Sequence, residues 1–280
     1  VLAYALHEDR QGRLWMGTTD GLYMRADATD ETLPWTHFTS ANSALPHDFV
    51  RVLVEDASGA LWLGTNGGGL ARYRNGRFAA FTEADGLPSN RVRDIRPDPT
   101  GAFWIVTEDQ GLARIVWDPS AATLQADSLA HVTTADGLFD NALHRLLPDD
   151  QGRFWMSSNR GLFWVRRDAL EAVARGKRAD LRSVAYTTQH GLRNAEANGG
   201  SHPAGTRAAD GRLWFPTQAG AVVVNPNADP VSEAPPNVVV ETLTPTDGPS
   251  VDVQGTSVGL PPDQRDLALR YTGIHFRHPE

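Results

Sequence analysis

The chain of 280 residues contains no cysteine. A disulfide framework and a thiolate nucleophile are both excluded. It has no basic tract either. Its 34 Asp and Glu outnumber 26 Lys and Arg, for a formal net charge of −8, and nucleic acid is not expected as a partner. No apolar run is long enough to span a bilayer, so no membrane contact is expected from the chain itself. No stretch reads as a signal peptide. H-E-x-x-H, paired strand histidines, an EF-hand loop, a P-loop and a G-x-S-x-G elbow are all lacking. Neither a metal nor another cofactor is expected. Val1 reads as mid-strand and Glu280 as mid-domain, so a longer parent protein is expected.

What is present is a recurring phrase. Asp9, Gly12 and Trp15 lead to Gly21-Leu22, and Asp56, Gly59 and Trp62 lead to Gly69-Leu70. Asp98, Gly101 and Trp104 lead to Gly111-Leu112, and Asp149, Gly152 and Trp155 lead to Gly161-Leu162. A looser fifth copy runs from Asp210 and Gly211 through Trp214 to Gly220-Ala221. The tryptophans stand 47, 42, 51 and 59 residues apart. Units of that length built from strand-forming residues are propeller blades rather than helical solenoids.

The second unit shows the physics. Residues 49–54 are rich in β-branched side chains and read as a strand. Asp56 to Gly59 fits a tight turn, with Asp first and Gly last. Residues 61–65 are almost all apolar, as a strand buried on both faces should be. A glycine-rich turn, a third strand at 70–73, a turn at 74–77 and a fourth strand at 78–82 complete a four-stranded antiparallel blade. Trp15, Trp62, Trp104, Trp155 and Trp214 are expected in the core between blades, each contributing a few kcal/mol. Gly17 and Gly64, two residues after Trp, are expected to leave room for a neighbouring blade. Phrases such as Phe81-Thr-Glu-Ala-Asp-Gly-Leu-Pro-Ser-Asn90 would carry the chain from one blade to the next. Two insertions interrupt the pattern, Asp118 to Ala130 and Arg166 to Leu181. In the second, Leu170, Val173 and Ala174 have helical spacing.

These residues resemble the two-component regulator propeller repeat and its inter-blade linker. Glu196 to Pro226 is similar to the closing blade of such sensors. Residues from Pro235 onward resemble the opening strands of the small β-sandwich that follows it, the Y_Y_Y domain. The resemblance implies an all-β chain, with propeller blades over 1–230 and a truncated Ig-like β-sandwich over 235–280. Five repeats are visible where such rings have seven blades, and no residues stapling the ring are recognisable. The family is made up of periplasmic sensing regions of inner-membrane receptors whose output is a histidine kinase, a hybrid two-component protein or a diguanylate cyclase. The resemblance implies a small-molecule or oligosaccharide ligand, a homodimer in the full receptor, and binding and coupling rather than catalysis by this chain.

In such a propeller the linkers and the turns between second and third strands share one rim. The linkers bring His47, Asp48, Asn90, Arg91, Asn141, His144, Arg193, Asn194 and Glu196 there, and the turns bring Asp109, Asn159 and Arg160. Convergent polar groups could hold a sugar or a small anion. Most Asn and Asp in such loops instead satisfy loop backbone, so His47, Arg91, His144, Arg160, Arg193 and Glu196, which break the repeat, are the sharper candidates. Residues 210–224 also resemble the repeat of streptogramin lyases, which would require a His and a Glu with Mg²⁺. His47, His144, His190 and His202 are available for that role, with Glu196. A protein-docking propeller is the third reading, and the polar linkers count against it.

Overall fold

The structure is a computed structural model that describes residues 1–117, 126–177, 181–228, 237–245, 250–253 and 267–274. The chain divides into two compact units, Val1–Ala228 and Asp229–Glu280.

The first unit is a series of antiparallel sheets in simple up-and-down order. Blade 1 is β1 (Ala3–Glu8), β2 (Leu14–Thr18), β3 (Gly21–Arg25) and β4 (Thr36–Phe38). Blade 2 is β5 (Val50–Glu55), β6 (Leu61–Thr65), β7 (Leu70–Arg74) and β8 (Arg77–Phe81). Blade 3 is β9 (Val92–Pro97), β10 (Ala102–Thr107), β11 (Leu112–Trp117) and β12 (Ala126–Val132). Blade 4 is β13 (Leu143–Pro148), β14 (Arg153–Ser158), β15 (Leu162–Arg166), α1 (Arg167–Ala174) and β16 (Val184–Tyr186). Among the described residues blade 5 has three strands rather than four: β17 (Thr206–Arg207), β18 (Leu213–Thr217) and β19 (Gly220–Val224). The first strands β1, β5, β9 and β13 adjoin in succession, which is the arrangement of propeller blades.

The repeated phrase is explained by one carboxylate. Asp9, Asp56 and Asp149 each accept hydrogen bonds from turn backbone N–H groups, and each accepts the indole N–H of its own blade's tryptophan at 2.7, 2.7 and 2.9 Å. The Asp thus closes the turn and fixes the ring. Burial raises the pKa of each of these carboxyls, but the hydrogen bonds outweigh it and hold all three below the ordinary value.

The rings of blades 1 to 3 then pack on the following blade. Trp15 clusters with Leu53 and Leu61 of blade 2, Trp62 with Ile95 and Ile105 of blade 3, and Trp104 with Leu146 and Met156 of blade 4. Trp15, Trp62, Trp104 and Trp155 are at most 2% exposed, whereas Trp214 is 37% exposed. The expectation of a buried ring fails at Trp214 because no described blade follows the fifth. The opposite face is open for the converse reason. Leu6 pairs with Met16 as Leu53 pairs with Leu63, yet Leu6 is 64% exposed and Leu53 only 3%, because no described tryptophan lies before blade 1. Gly17 and Gly64 behave as expected: a Cβ there would meet Val50 O at 2.8 Å and Val92 Cγ1 at 2.7 Å.

The linkers are short 3-10 turns. Thr82 with Asp85, and Thr133 with Asp136, form reciprocal capping boxes. Gly86 and Gly137 then take φ of 105° and 104°, which only glycine adopts without strain, and Leu87 and Leu138 pin the turns into the core. The predicted helix is α1, whose Leu170 is fully buried in the groove between blades 3 and 4. Arg114 of β11 pairs with its Glu171 at 3.0 Å. Residues 118–125 of the first insertion lie outside the described residues, and its residues 126–130 form part of β12.

In the second unit, β20 (Asn237–Pro245), β21 (Val251–Asp252) and β22 (Leu267–Ile274) form one antiparallel sheet in the order β21–β20–β22. The rest of the expected sandwich lies outside the described residues.

Candidate functional site

Four residues share one structural position. In blades 1 to 4 the pairing of first and second strands skips one residue, as between Val50–Thr65 and Val52–Gly64. The residues left over are Tyr4, Arg51, Arg93 and His144. A β-bulge of this kind re-aims a side chain off the sheet. Here each bulge turns its residue toward the segment Asn198–Ala204 of the closing repeat. Arg51 donates to Gly199 O at 2.9 Å and Gly200 O at 3.1 Å, and Arg93 donates to Gly199 O at 3.3 Å. The His144 ring lies against Gly199 so closely that a Cβ there would come within 2.5 Å of it. His202 N donates to Tyr4 O at 2.9 Å.

The same segment is stapled from below. Asp94, 1% exposed, accepts from Arg145 at 2.7 Å and from Leu146 N at 3.0 Å, and lies 3.2 Å from His202 Nε2. Burial drives this carboxyl's pKa up, and Arg145 and His202 more than reverse it, so Asp94 stays ionised. Segment 198–204 of the closing repeat is therefore held against the first strands of all four preceding blades.

A cavity of about 270 Å³ opens at this junction. Arg51, Arg93 and His144 form one wall; Glu108, Asn159 and Gln218 come from the turns between second and third strands; Glu196 and Asn198 complete it. The three turn residues again share a position, directly after the last residue of β10, β14 and β18. Arg93 pairs with Glu108 at 2.5 Å, and His144 Nε2 lies 2.8 Å from Asn159 Oδ1. Burial, then the nearby Arg93, push the Arg51 guanidinium down to about 10, which leaves it cationic at neutral pH. Burial outweighs the Asn159 contact and lowers the His144 pKa, so its imidazole is neutral there. Among the described residues no group of three or more His, Asp or Glu could hold a metal ion. A second cavity of about 410 Å³ lies between blades 2 and 3 against Trp62, Phe103 and Trp117. It is the apolar groove that α1 fills one junction further on.

Of the twelve residues named from sequence, His144, Asn159 and Glu196 line the polar cavity. The others are placed elsewhere. His47 packs on Gly67 and Gly68, and its Nδ1 accepts from Phe49 N. Asp48 accepts from Ser40 N. The side chains of Asn90, Asn141 and Asn194 accept from Glu83 N, Thr134 N and Glu196 N, the backbone-satisfying role such residues often take. Arg91 and Asp109 pair with each other at 2.5 Å. Arg160 donates to Phe139 O and covers its ring. Arg193 is exposed. The sequence reading missed Arg51, Arg93, Glu108 and Gln218. A signal existed: Tyr4, Arg51, Arg93 and His144 each stand eleven residues before their tryptophan, and Glu108, Asn159 and Gln218 stand four after.

Residues 2–20, 44–67 and 86–109 match the two component regulator propeller model. No curated protein sequence matches the chain. Among solved structures it is similar to the extracellular domain of BT3049 from B. thetaiotaomicron, named as a hybrid two component system, with TM-score 0.68 and 21% identity over 97% of this chain. It is similar to the extracellular domain of BT4673 from the same organism, also named as a hybrid two component system, with TM-score 0.64 and 19% identity over 91% of this chain. The chain spans only 35% and 31% of those two structures. Virginiamycin B lyase from Staphylococcus aureus shares the fold more distantly, with TM-score 0.52 and 13% identity over 81% of this chain and 71% of the lyase. The three matched segments lie in the first three blades, so the chain carries two-component regulator propeller repeats there.

Proposed function

We propose that the chain is part of the ligand-sensing region of an extracytoplasmic receptor, periplasmic in location, and that the cavity at Gly199 receives a small hydroxylated molecule or the end of an oligosaccharide. One observation carries this reading. Bulges in successive first strands aim Arg51, Arg93 and His144 at one place, where turn residues from three other strand pairs meet them. A fold does not need these polar side chains buried together; desolvating them costs stability that hydrogen bonds to a ligand would offset. Likeness to extracellular domains of two-component systems supports the same reading. Binding would bias a conformational equilibrium of the receptor, and the following sheet would pass the bias on.

The test is a thermal-shift screen of this chain against glycans and small acids, with and without Mg²⁺. A ligand that binds the folded chain raises Tm by mass action. A metal-independent shift that disappears in Asn159→Ala supports the sensor reading. A shift that requires Mg²⁺ favours lyase-like chemistry, and an unchanged Tm throughout removes the proposal.

A further inference from the structure

Resting on that reading of the cavity, we infer that its ligand is a sugar acid, one ring in size, whose carboxylate is received between Arg51 and Arg93. The two arginines differ in their partners. Glu108 pairs with Arg93 at 2.5 Å. Arg51, only 8% exposed, makes no direct ion pair among the described residues and feels the Glu108 carboxylate only at longer range. It rests on the carbonyls of Gly199 and Gly200 and on the faces of Tyr4 and Phe49, 5.4 and 5.6 Å from the ring centres. A buried guanidinium beside a second one is costly unless an anion joins it. Guanidinium groups receive carboxylates bidentately, through their fixed fork of donors. Among the described residues the buried Arg93 Nε and His144 Nδ1 have no hydrogen-bond partner, so the wall retains a donor on Arg93 for an anion and an acceptor on the neutral His144 for a hydroxyl.

The rest of the lining selects the body of the ligand. Asn159, Gln218 and Asn198 offer amides, which both give and take hydrogen bonds as sugar hydroxyls do, and Glu196 offers a carboxylate, which accepts them. Among the described residues no Phe, Tyr or Trp lines the cavity, so orientation comes from hydrogen bonds rather than stacking on a large ring. Its volume of about 270 Å³ is below the roughly 300–1,000 Å³ typical of pockets for drug-sized molecules. A single hexuronate ring suits that space, free or at the end of a chain.

Calorimetric titration of the 280-residue chain with D-glucuronate, D-galacturonate, D-glucose, glucuronic acid methyl ester and acetate tests this. The acid should bind at least about tenfold more tightly than the ester or glucose, the loss expected for one charge-assisted contact. Raising the salt concentration should weaken the acid and not the ester. Arg51→Lys should weaken the acid about tenfold and the ester by less, so that the preference for acid over ester falls. If that variant does not fold, the acid–ester comparison on the unaltered chain decides alone. Equal binding of acid and ester overturns the sugar-acid inference but leaves the cavity as a ligand site. Binding of a neutral glycan alone does the same. Acetate binding as tightly as the hexuronates overturns the sugar part. Failure of every acid overturns the inference, and failure of every glycan in the wider screen removes the sensing site itself.

Discussion

Asp98 does not hold Trp104. In blades 1, 2 and 4 the equivalent carboxylate accepts the tryptophan N–H, but Asp98 accepts from Arg167 through its second oxygen at 2.6 Å, and the Trp104 Nε1 has no hydrogen-bond partner among the described residues. The departure coincides with α1, which begins at Arg167.

This difference predicts unequal costs for the same substitution. Asp149→Ala takes the carboxylate from the buried Arg153, which keeps its bond to Pro226 O, and the acceptor from the Trp155 N–H and should cost about 3–5 kcal/mol. Asp98→Ala leaves Arg167 free to reach solvent and should cost about 1–3 kcal/mol. Urea unfolding midpoints for the two variants check the order.

The open faces make a second prediction. Trp62→Ala should cost about 3–5 kcal/mol and Trp214→Ala about 1 kcal/mol or less, because Trp214 is already 37% exposed. Leu53→Ala should destabilise by about 2–5 kcal/mol, and Leu6→Ala by less than about 0.5 kcal/mol. Denaturant melts of this chain that rank Leu6 with Leu53 would contradict the packing described.

Acid should weaken the fold in two stages. His144 is buried neutral with a lowered pKa. As pH falls below about 6.5 the unfolded chain gains a proton that the folded chain refuses, so stability begins to decline, and His144→Gln should remove this first stage. Asp9, Asp56, Asp94, Asp98 and Asp149 all have lowered folded pKa values. Their contribution is complete above about pH 4 and is lost as pH drops through the folded values. Calorimetric Tm measured from pH 7 to 3 should show a shallow decline and then a steep one.

Gly199→Ala should close the proposed site. The new methyl group would fall 2.5 Å from the His144 ring, displacing either the ring or the segment that Arg51 grips. A cost of about 1–3 kcal/mol and loss of any ligand-induced Tm shift are expected. Gly200→Ala is the milder comparison, since its Cβ would meet only the end of the Asn198 side chain, at 2.9 Å from Oδ1, and that side chain can turn away. Equal retention of binding in both variants would place the ligand elsewhere.

The blades were legible because their information is local. Asp56, Gly59 and Trp62 lie within seven residues, and turn chemistry and burial dictate their types wherever the unit stands. The linkers were legible for the same reason, with Thr82, Asp85, Gly86 and Leu87 forming a self-contained cap and turn. The site was legible only in part. His144 stands out as a break in the repeat, but nothing in the alternation of a strand marks Arg51 or Arg93, since a bulge cannot be read from alternation alone.

The sequence by itself determined the blade, its turns and the tryptophan that joins it to the next, because each rests on contacts between near neighbours. Only the tertiary structure decided which polar residues meet. Gly199 lies 148 residues from Arg51 and 106 from Arg93, and His202 lies 108 from Asp94. Such contacts depend on how successive blades turn about their shared first strands, and no local pattern in the chain encodes that geometry.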